Sequence, residues 1–237
     1  TVYAACRNGY LYALDAKTGN LLWYFDPPAV KRLNSGNGDL VKTGRSDTQK
    51  PWLNYPSKES VVQCPGVSGA VSSNIALGYT TIYFSTFNRC SQITVAPVKE
   101  IGDTGVANIT ALYSPVGAVN STLYAVDAST GKEKWSQFFD GVENKGGITV
   151  SGGLTYLPSA DGSLYAFDAA TGTKMWTRLF GTLGLAIPPV IAATAKGNWT
   201  LIQIVSGTPL LGLSDDMRSG FLFMFTLPSV TYTASLI

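Results

Sequence analysis

The sequence of 237 residues contains no histidine, and only 14% of its residues are charged. Without histidine these residues cannot supply a Ser-His-Asp triad, a histidine general base or a histidine-ligated metal. The 17 Lys and Arg residues against 15 Asp and Glu residues leave a formal charge of +2, which is too weak a basic surface to predict a nucleic-acid partner. No apolar run approaches the roughly 18 residues of a transmembrane helix, so no membrane span is predicted.

Apolar and turn-forming residues are abundant. Hydrophobic residues make up 45% of the sequence, which also contains 25 Gly, 12 Pro, 12 Tyr and 10 Phe. This much apolar and aromatic material can form a core, so the composition excludes a disordered chain. The combination of aromatic residues with frequent Gly and Pro predicts a turn-rich β protein.

One phrase occurs three times. It joins Leu-Tyr-Ala, an apolar residue, Asp-Ala, a Thr-Gly pair and a Trp, and its copies start at Leu11, Leu123 and Leu164. The second and third copies start 41 residues apart, and a degenerate fourth copy starts at Phe221. Repeats of about 40 residues in an all-β sequence are typical of propeller blades.

The chemistry of the phrase agrees with a blade. Leu-Tyr-Ala favours a strand, the Asp and the Gly favour a tight turn, and the Trp can pack between neighbouring blades. An earlier strand precedes each copy, nine residues away in the first and third copies, which is a hairpin spacing. In the middle copy the step is 41 residues, so residues 87–121 are interpreted as an insertion, and a second insertion is expected at about 26–63.

Counting strands predicts an all-β fold of about four blades, each a four-stranded antiparallel sheet. The first blade lacks its opening strand and the last lacks its closing strand. An open half-ring would expose two sheet edges, which invite aggregation. We therefore expect the remainder of the propeller to lie in missing sequence or in another chain, and residues 1–237 to form a partial propeller.

The segment Arg-Asn-Gly-Tyr-Leu-Tyr-Ala-Leu-Asp-Ala-Lys-Thr-Gly at 7–19 resembles pyrroloquinoline-quinone (PQQ) dehydrogenases of the methanol/alcohol dehydrogenase type. The likeness continues in the family's order along nearly the whole chain, through residues 39–45, 64–66, 145–149, 153–156, 160–163, 186–190 and 220–228. The resemblance implies the C-terminal half of an eight-bladed propeller. It also implies an enzyme that oxidises an alcohol or similar small substrate by hydride transfer to PQQ.

The resemblance implies that PQQ lies in the central funnel beside a Ca²⁺ or lanthanide ion. The family's general-base Asp and metal-binding carboxylate precede the matched region, so no metal ligand is expected in this chain. Arg7 occupies the position of the cation that reaches the quinone oxygens, which makes it the candidate catalytic and cofactor-binding residue. A cation there favours the charge that develops on reduction. The alternative is a solvated side chain beside a turn.

Three further candidates for cofactor binding come from the same resemblance. Asn74 is a shifted counterpart of an Asn that follows the Cys-Pro segment in the family. Asn144 and Lys145 stand where the family places a Trp at or beside Gly-Gly. Lys145 could pair with a carboxylate of PQQ, or it could be an ordinary surface lysine.

Three cysteines occur, at positions 6, 64 and 90. Residue 77, midway between Cys64 and Cys90, lies in an expected turn, and a hairpin folded there brings the two thiols together. The resemblance implies a bridge at the same place. The predicted disulfide implies an oxidising compartment, periplasmic or extracellular, and leaves Cys6 as a small buried residue.

Two functions of different classes remain open. The first is a PQQ-dependent dehydrogenase with a small-molecule substrate and a separate electron acceptor. The second is a propeller with a degenerate cofactor site that serves as a binding or structural subunit of an extracellular assembly. Arg7 and the ordered resemblance favour the first function, and the absent upstream residues and aromatics favour the second.

Overall fold

The computed structural model describes residues 1–33, 60–66, 70–94, 113–180, 187–193, 199–205 and 221–226. These residues form strands and turns without a helix, which agrees with the expected all-β class. Their strands are β1 Val2–Ala5, β2 Leu11–Leu14, β3 Leu21–Phe25, β4 Ser60–Gln63, β5 Ala76–Gly78, β6 Thr81–Thr94, β7 Tyr113–Asp127, β8 Glu133–Asp140, β9 Thr149–Ser151, β10 Leu154–Pro158, β11 Ser163–Asp168, β12 Lys174–Leu179, β13 Val190–Ala193, β14 Trp199–Val205 and β15 Phe221–Thr226.

The described strands form four antiparallel sheets, in agreement with the predicted number of blades. Sheet β9–β12 is a complete four-stranded meander, and sheets β1–β3 and β13–β15 have three strands each. The remaining sheet has the order β4-β6-β7-β8, with the short strand β5 also paired to β6. No helix in the described ranges is long and apolar enough to cross a membrane.

The repeated phrase forms the same strand, turn and strand in each copy. In the first copy, Asp15 Oδ1 accepts hydrogen bonds from the backbone N–H of Lys17 at 2.9 Å and of Thr18 at 2.8 Å. The Thr18 hydroxyl donates to the same oxygen at 2.9 Å. Gly19 closes the turn with a φ of +74°, a conformation that favours glycine. These bonds lower the pKa of the Asp15 carboxyl because they stabilise its charged form.

The chain divides into two compact units, Thr1–Lys145 and Gly146–Ile237. Unit 1 has an apolar core shared by its two sheets, formed by Leu11, Val71, Ile82, Phe84, Tyr124 and Val126. The Tyr3 hydroxyl, in sheet β1–β3, donates to the carbonyl of Ala128, directly after β7 of the second sheet of this unit, at 2.9 Å. The Trp23 indole lies against Gly131, where a Cβ atom would be 2.7 Å from Trp23 Cε3.

Unit 2 packs sheet β9–β12 against sheet β13–β15. The Phe180 and Phe223 rings lie 4.7 Å apart between centroids, beside the buried Leu164. The Gln203 side-chain amide, which is fully buried, donates to the Ile187 carbonyl at 3.0 Å. Apolar contacts and this hydrogen bond therefore help to hold the unit together.

The predicted insertion at 87–121 begins and ends inside regular structure. Strands β6 and β7 pair from Thr81 and Asp127 out to Ile93 and Tyr113, with a register shift between Asn88 and Cys90. Both arms of the insertion therefore continue the sheet as a long ribbon. Most of the predicted insertion at 26–63 lies outside the described residues, as does the segment at 39–45.

Candidate functional site

Arg7 lies in the tight turn that joins β1 to β2. The turn is closed by a hydrogen bond from Cys6 N to Tyr10 O of 2.9 Å and one from Gly9 N to Cys6 O of 2.8 Å. Gly9 has a φ of +90°, and a Cβ atom there would lie 2.9 Å from Val30 Cγ1. Only glycine fits this position, and its tight turn leaves the Arg7 side chain exposed to solvent.

The turn is attached to the second sheet of unit 1 through Ala70. The Ala70 N–H donates to the Arg7 carbonyl at 2.8 Å, and the Ala70 carbonyl accepts from the Phe87 N–H at 2.8 Å. Ala70 is fully buried. Because the Arg7 carbonyl accepts the first of these bonds, the position of the Arg7 backbone is fixed relative to the second sheet.

The predicted disulfide between Cys64 and Cys90 is confirmed, with the two Cα atoms 4.5 Å apart. The β4–β6 register pairs Gln63 with Ser91, which places Cys64 opposite Cys90 one step further along. The Cys64 N–H and carbonyl form hydrogen bonds with Leu33, on the side away from β6. Gly66 follows and donates its N–H to the Arg89 carbonyl at 2.7 Å.

Lys145 lies in a half-buried group of charges that we call the cationic cluster: Arg89, Glu143 and Lys145. Arg89 Nη1 lies 3.1 Å from both carboxylate oxygens of Glu143, and Lys145 Nζ lies 3.1 Å from Glu143 Oε2. The Lys145 ammonium also sits 4.9 Å from the centre of the Phe87 ring. Its side chain is only 19% exposed, so it is held in place more firmly than an ordinary surface lysine.

Asn144 is placed between the two charged residues of the same segment. Its backbone N–H donates to Ser121 Oγ at 2.7 Å, and that hydroxyl in turn donates to the Val142 carbonyl. The residue is 1% exposed, and neither polar atom of its side-chain amide has a hydrogen-bond partner. An unpaired buried amide is costly, which makes Asn144 a candidate for contact with a ligand.

All four predicted cofactor residues lie in unit 1, and a chain of contacts links Arg7 to Lys145 and its neighbour Asn144. The Arg7 backbone is hydrogen-bonded to Ala70 and Ala70 to the Phe87 backbone, and the Lys145 ammonium lies over the Phe87 ring. Asn74 is also in unit 1 and is exposed. No contact in the described part of the chain links Asn74 to the cationic cluster.

Several charged residues of this region were not identified from the sequence. The pairing of Arg89 with Glu143 could not be predicted, because the two residues are 54 positions apart and neither belongs to the repeated phrase. Arg32 also lies here, with its guanidinium 4.1 Å from the centre of the Tyr10 ring and an ion pair to Asp26. The one signal in the sequence was that Glu143 and Lys145 stand two positions apart.

Cys6, the free cysteine at the start of the Arg7 turn, is half-buried. Burial raises the pKa of its thiol, which disfavours the reactive thiolate form. This agrees with a packing role for Cys6.

The donors present fit a ligand that carries oxygen acceptors and negative charge. Arg89 and Lys145 contribute two positive charges against the single carboxylate of Glu143, and the neighbouring Asn144 adds an unpaired donor and an unpaired acceptor. These groups suit the quinone oxygens and carboxylates of PQQ. In the described ranges, no group of three or more Cys, Asp or Glu side chains comes together to hold a metal ion.

The family model PQQ_2, which is described as outer membrane protein assembly factor BamB, matches residues 88–208. No curated protein matches the chain. Among solved structures, a quinohemoprotein alcohol dehydrogenase from Comamonas testosteroni is similar with a TM-score of 0.70 and 20% identity, over 94% of this chain and 35% of that one. A europium-containing methanol dehydrogenase is similar with a TM-score of 0.66 and 19% identity, over 86% of this chain and 36% of that one.

A quinohemoprotein alcohol dehydrogenase from Pseudomonas putida HK5 is equally similar, with a TM-score of 0.66 and 19% identity, over 86% of this chain and 31% of that one. The chain thus spans about a third of the length of these dehydrogenases. The likeness confirms the predicted fold, a β-propeller of the PQQ dehydrogenase type, of which this chain forms a part.

Proposed function

Because this chain belongs to the PQQ_2 family, whose model is described as outer membrane protein assembly factor BamB, we propose a function for it within the PQQ-type propellers. We infer that it forms part of a quinoprotein dehydrogenase that oxidises an alcohol or a similar small substrate. The buried, unpaired amide of Asn144 beside the cationic cluster is the observation that carries this proposal. The fold of three dehydrogenases supports it.

When bound, PQQ supplies the quinone that accepts the hydride of the substrate. The residues of this chain would bind and orient it. Arg7 would offer a guanidinium to a quinone oxygen and stabilise negative charge there, since a fixed cation is most effective where charge develops. Lys145 would pair with a carboxylate, and the amide of Asn144 would make the hydrogen bonds that it lacks within the chain. Asn74 is the fourth proposed contact.

Glu143 has a positioning role in this proposal. Its carboxylate holds Arg89 and Lys145 at 3.1 Å each, so that both cations keep a fixed orientation. Fixed charges lose less conformational entropy on binding than mobile ones. A Ca²⁺ or lanthanide ion and the general base belong to the same proposal, and their residues would come from outside this chain.

The compartment is part of the proposal. The Cys64–Cys90 disulfide implies oxidising surroundings, which supports a periplasmic or extracellular location. The electron acceptor, the substrate and the rest of the propeller would be located in the same compartment.

The second candidate is a propeller without catalysis that serves as a binding or structural subunit of an assembly. The description of the matching family model, an outer membrane protein assembly factor, favours this candidate. The two candidates differ in one measurable property, since only the first requires a specific site for PQQ.

Binding of PQQ to the 237-residue chain, measured by calorimetry, tests the proposal. We expect saturable binding that becomes at least about 10-fold weaker in Arg7→Ala and in Lys145→Met, because each change removes one charge-assisted hydrogen bond. Arg178→Ala and Lys132→Met remove exposed cations outside the cluster and serve as matched controls. Equal affinity in all four variants, or no saturable binding, would favour the assembly subunit.

A further inference from the structure

Unit 2 contains a cavity of about 640 Å³ between sheets β9–β12 and β13–β15. Both sheets contribute to its wall, which includes Tyr156 and Trp176 from the first sheet and Thr200 and Phe225 from the second. The volume lies within the roughly 300–1,000 Å³ that is usual for pockets that bind small molecules.

The repeat explains why the cavity exists. In unit 1 the Trp of the first copy, Trp23, lies against Gly131 in the Thr-Gly turn of the next sheet. Trp176 is the Trp of the third copy, and the degenerate phrase that starts at Phe221 has no Thr-Gly pair. The fourth copy therefore offers Trp176 no Thr-Gly turn of the kind that packs against Trp23. It remains 39% exposed and borders the cavity.

The wall of the cavity is aromatic and aliphatic with a few hydroxyl groups. Trp176 and Phe225 meet edge to face with ring centroids 5.7 Å apart, and Leu154 and Ile191 contribute aliphatic surface. No charged residue lines the cavity in the described part of unit 2. Such a wall favours a neutral, planar and largely apolar molecule.

Thr200 adds a specific polar feature. The residue lines the cavity and is 2% exposed, and its hydroxyl has no hydrogen-bond partner. A buried hydroxyl without a partner is destabilising, and a ligand oxygen placed beside it would relieve that cost. At the edge of the cavity Gly152 has open space where a side chain would project, which leaves room for a ligand to enter.

We propose that this cavity binds a neutral aromatic molecule of about two fused rings that carries one hydroxyl or carbonyl oxygen. The rings pack against Trp176 and Phe225, and the oxygen forms a hydrogen bond with Thr200. The site lies entirely within unit 2 and does not depend on the proposed PQQ site in unit 1.

The probe is 2-naphthol, compared with 2-methylnaphthalene, which has the same shape without the oxygen. We expect the full chain to bind 2-naphthol saturably in calorimetry and to prefer it over 2-methylnaphthalene. Thr200→Val keeps the shape of the side chain and removes its hydroxyl, so it should weaken 2-naphthol binding about 10-fold, as the loss of one hydrogen bond predicts. It should leave 2-methylnaphthalene binding unchanged, and Thr200→Ser should keep the preference.

Thr155→Val is the matched control. Thr155 is also a fully buried threonine of unit 2 whose hydroxyl has no partner, but it is not part of the cavity wall. Trp176→Phe should remove most of the fluorescence quenching that 2-naphthol causes. The proposal is overturned if 2-naphthol does not saturate, if Thr155→Val and Thr200→Val weaken binding equally, or if quenching persists in Trp176→Phe.

Discussion

The two ends of the repeated strand pairs are built differently. At the end with the Asp-x-x-Thr-Gly turns, the three copies agree closely. In each copy the Asp N–H donates to the carbonyl of the residue after the Gly at 2.8 Å, and the Gly N–H donates to the Asp carbonyl at 2.9 Å. At the other end, the first copy has the short Arg7 turn and the second has the long β6–β7 ribbon with the disulfide. The repeated end secures the fold, and the variable end carries the candidate site, as is common for scaffolds and their loops.

The largest effect is expected at the variable end, from loss of the disulfide. Replacing Cys64 and Cys90 together by Ser should lower the free energy of unfolding by about 3–4 kcal/mol, because the chain-entropy model assigns this value to a loop of that length. Urea unfolding with and without reductant measures it. Cys6→Ser, which removes the free thiol, should change stability by less than about 1 kcal/mol. Equal losses in both variants would mean that the crosslink adds nothing to stability.

At the repeated end, the equivalent glycines of two copies of the turn should respond differently to the same substitution. Gly131→Ala should cost about 2–4 kcal/mol, because the new methyl group would meet the Trp23 indole at 2.7 Å in addition to the strain of a positive φ. Gly19→Ala meets nothing within 4 Å and should cost only about 1–2 kcal/mol from the positive φ. Thermal unfolding of both variants compares them, and similar losses would show that the indole contact is not tightly packed.

The smallest effect is expected for the stability of the fold at acidic pH. The turn carboxylates of Asp15, Asp127 and Asp168 all have a lowered pKa, caused by hydrogen bonds from the Ser, Thr and backbone groups of their turns. Their contribution to stability is therefore present above the unfolded pKa of about 3.9 and is lost as pH falls through the lower folded value.

Asn substitutions at these turns separate this contribution, because Asn keeps the shape of the side chain without titrating. Asp127→Asn should reduce the loss of stability between about pH 5 and pH 2 more than Asp15→Asn does. The reason is that Asp127 also accepts a hydrogen bond from the Ser129 hydroxyl and lies 3.3 Å from Lys134 Nζ. Urea midpoints across this pH range measure the difference. An identical pH profile for the two variants and the unmodified chain would contradict the assignment.

The repeated end was predictable from sequence because its contacts are local. Asp15 binds residues two and three positions ahead, so the phrase itself encodes the turn. The disulfide followed from a midpoint turn and a family resemblance. The cationic cluster could not be predicted, because Arg89 and Glu143 meet only after the register of three strands is set. The contacts that link the Arg7 backbone to Lys145 likewise pass through Ala70, and no sequence motif marks Ala70.

Locality also has a consequence for how the protein is made. Every strand pair in the described sheets joins segments from one stretch of the chain, and Cys64 and Cys90 both belong to the sheet built from residues 60–140. Cys6 precedes the first turn of a different sheet. Residues 60–140 therefore contain all the strands of this sheet and both thiols of its disulfide, so neither needs a strand from the segments that follow.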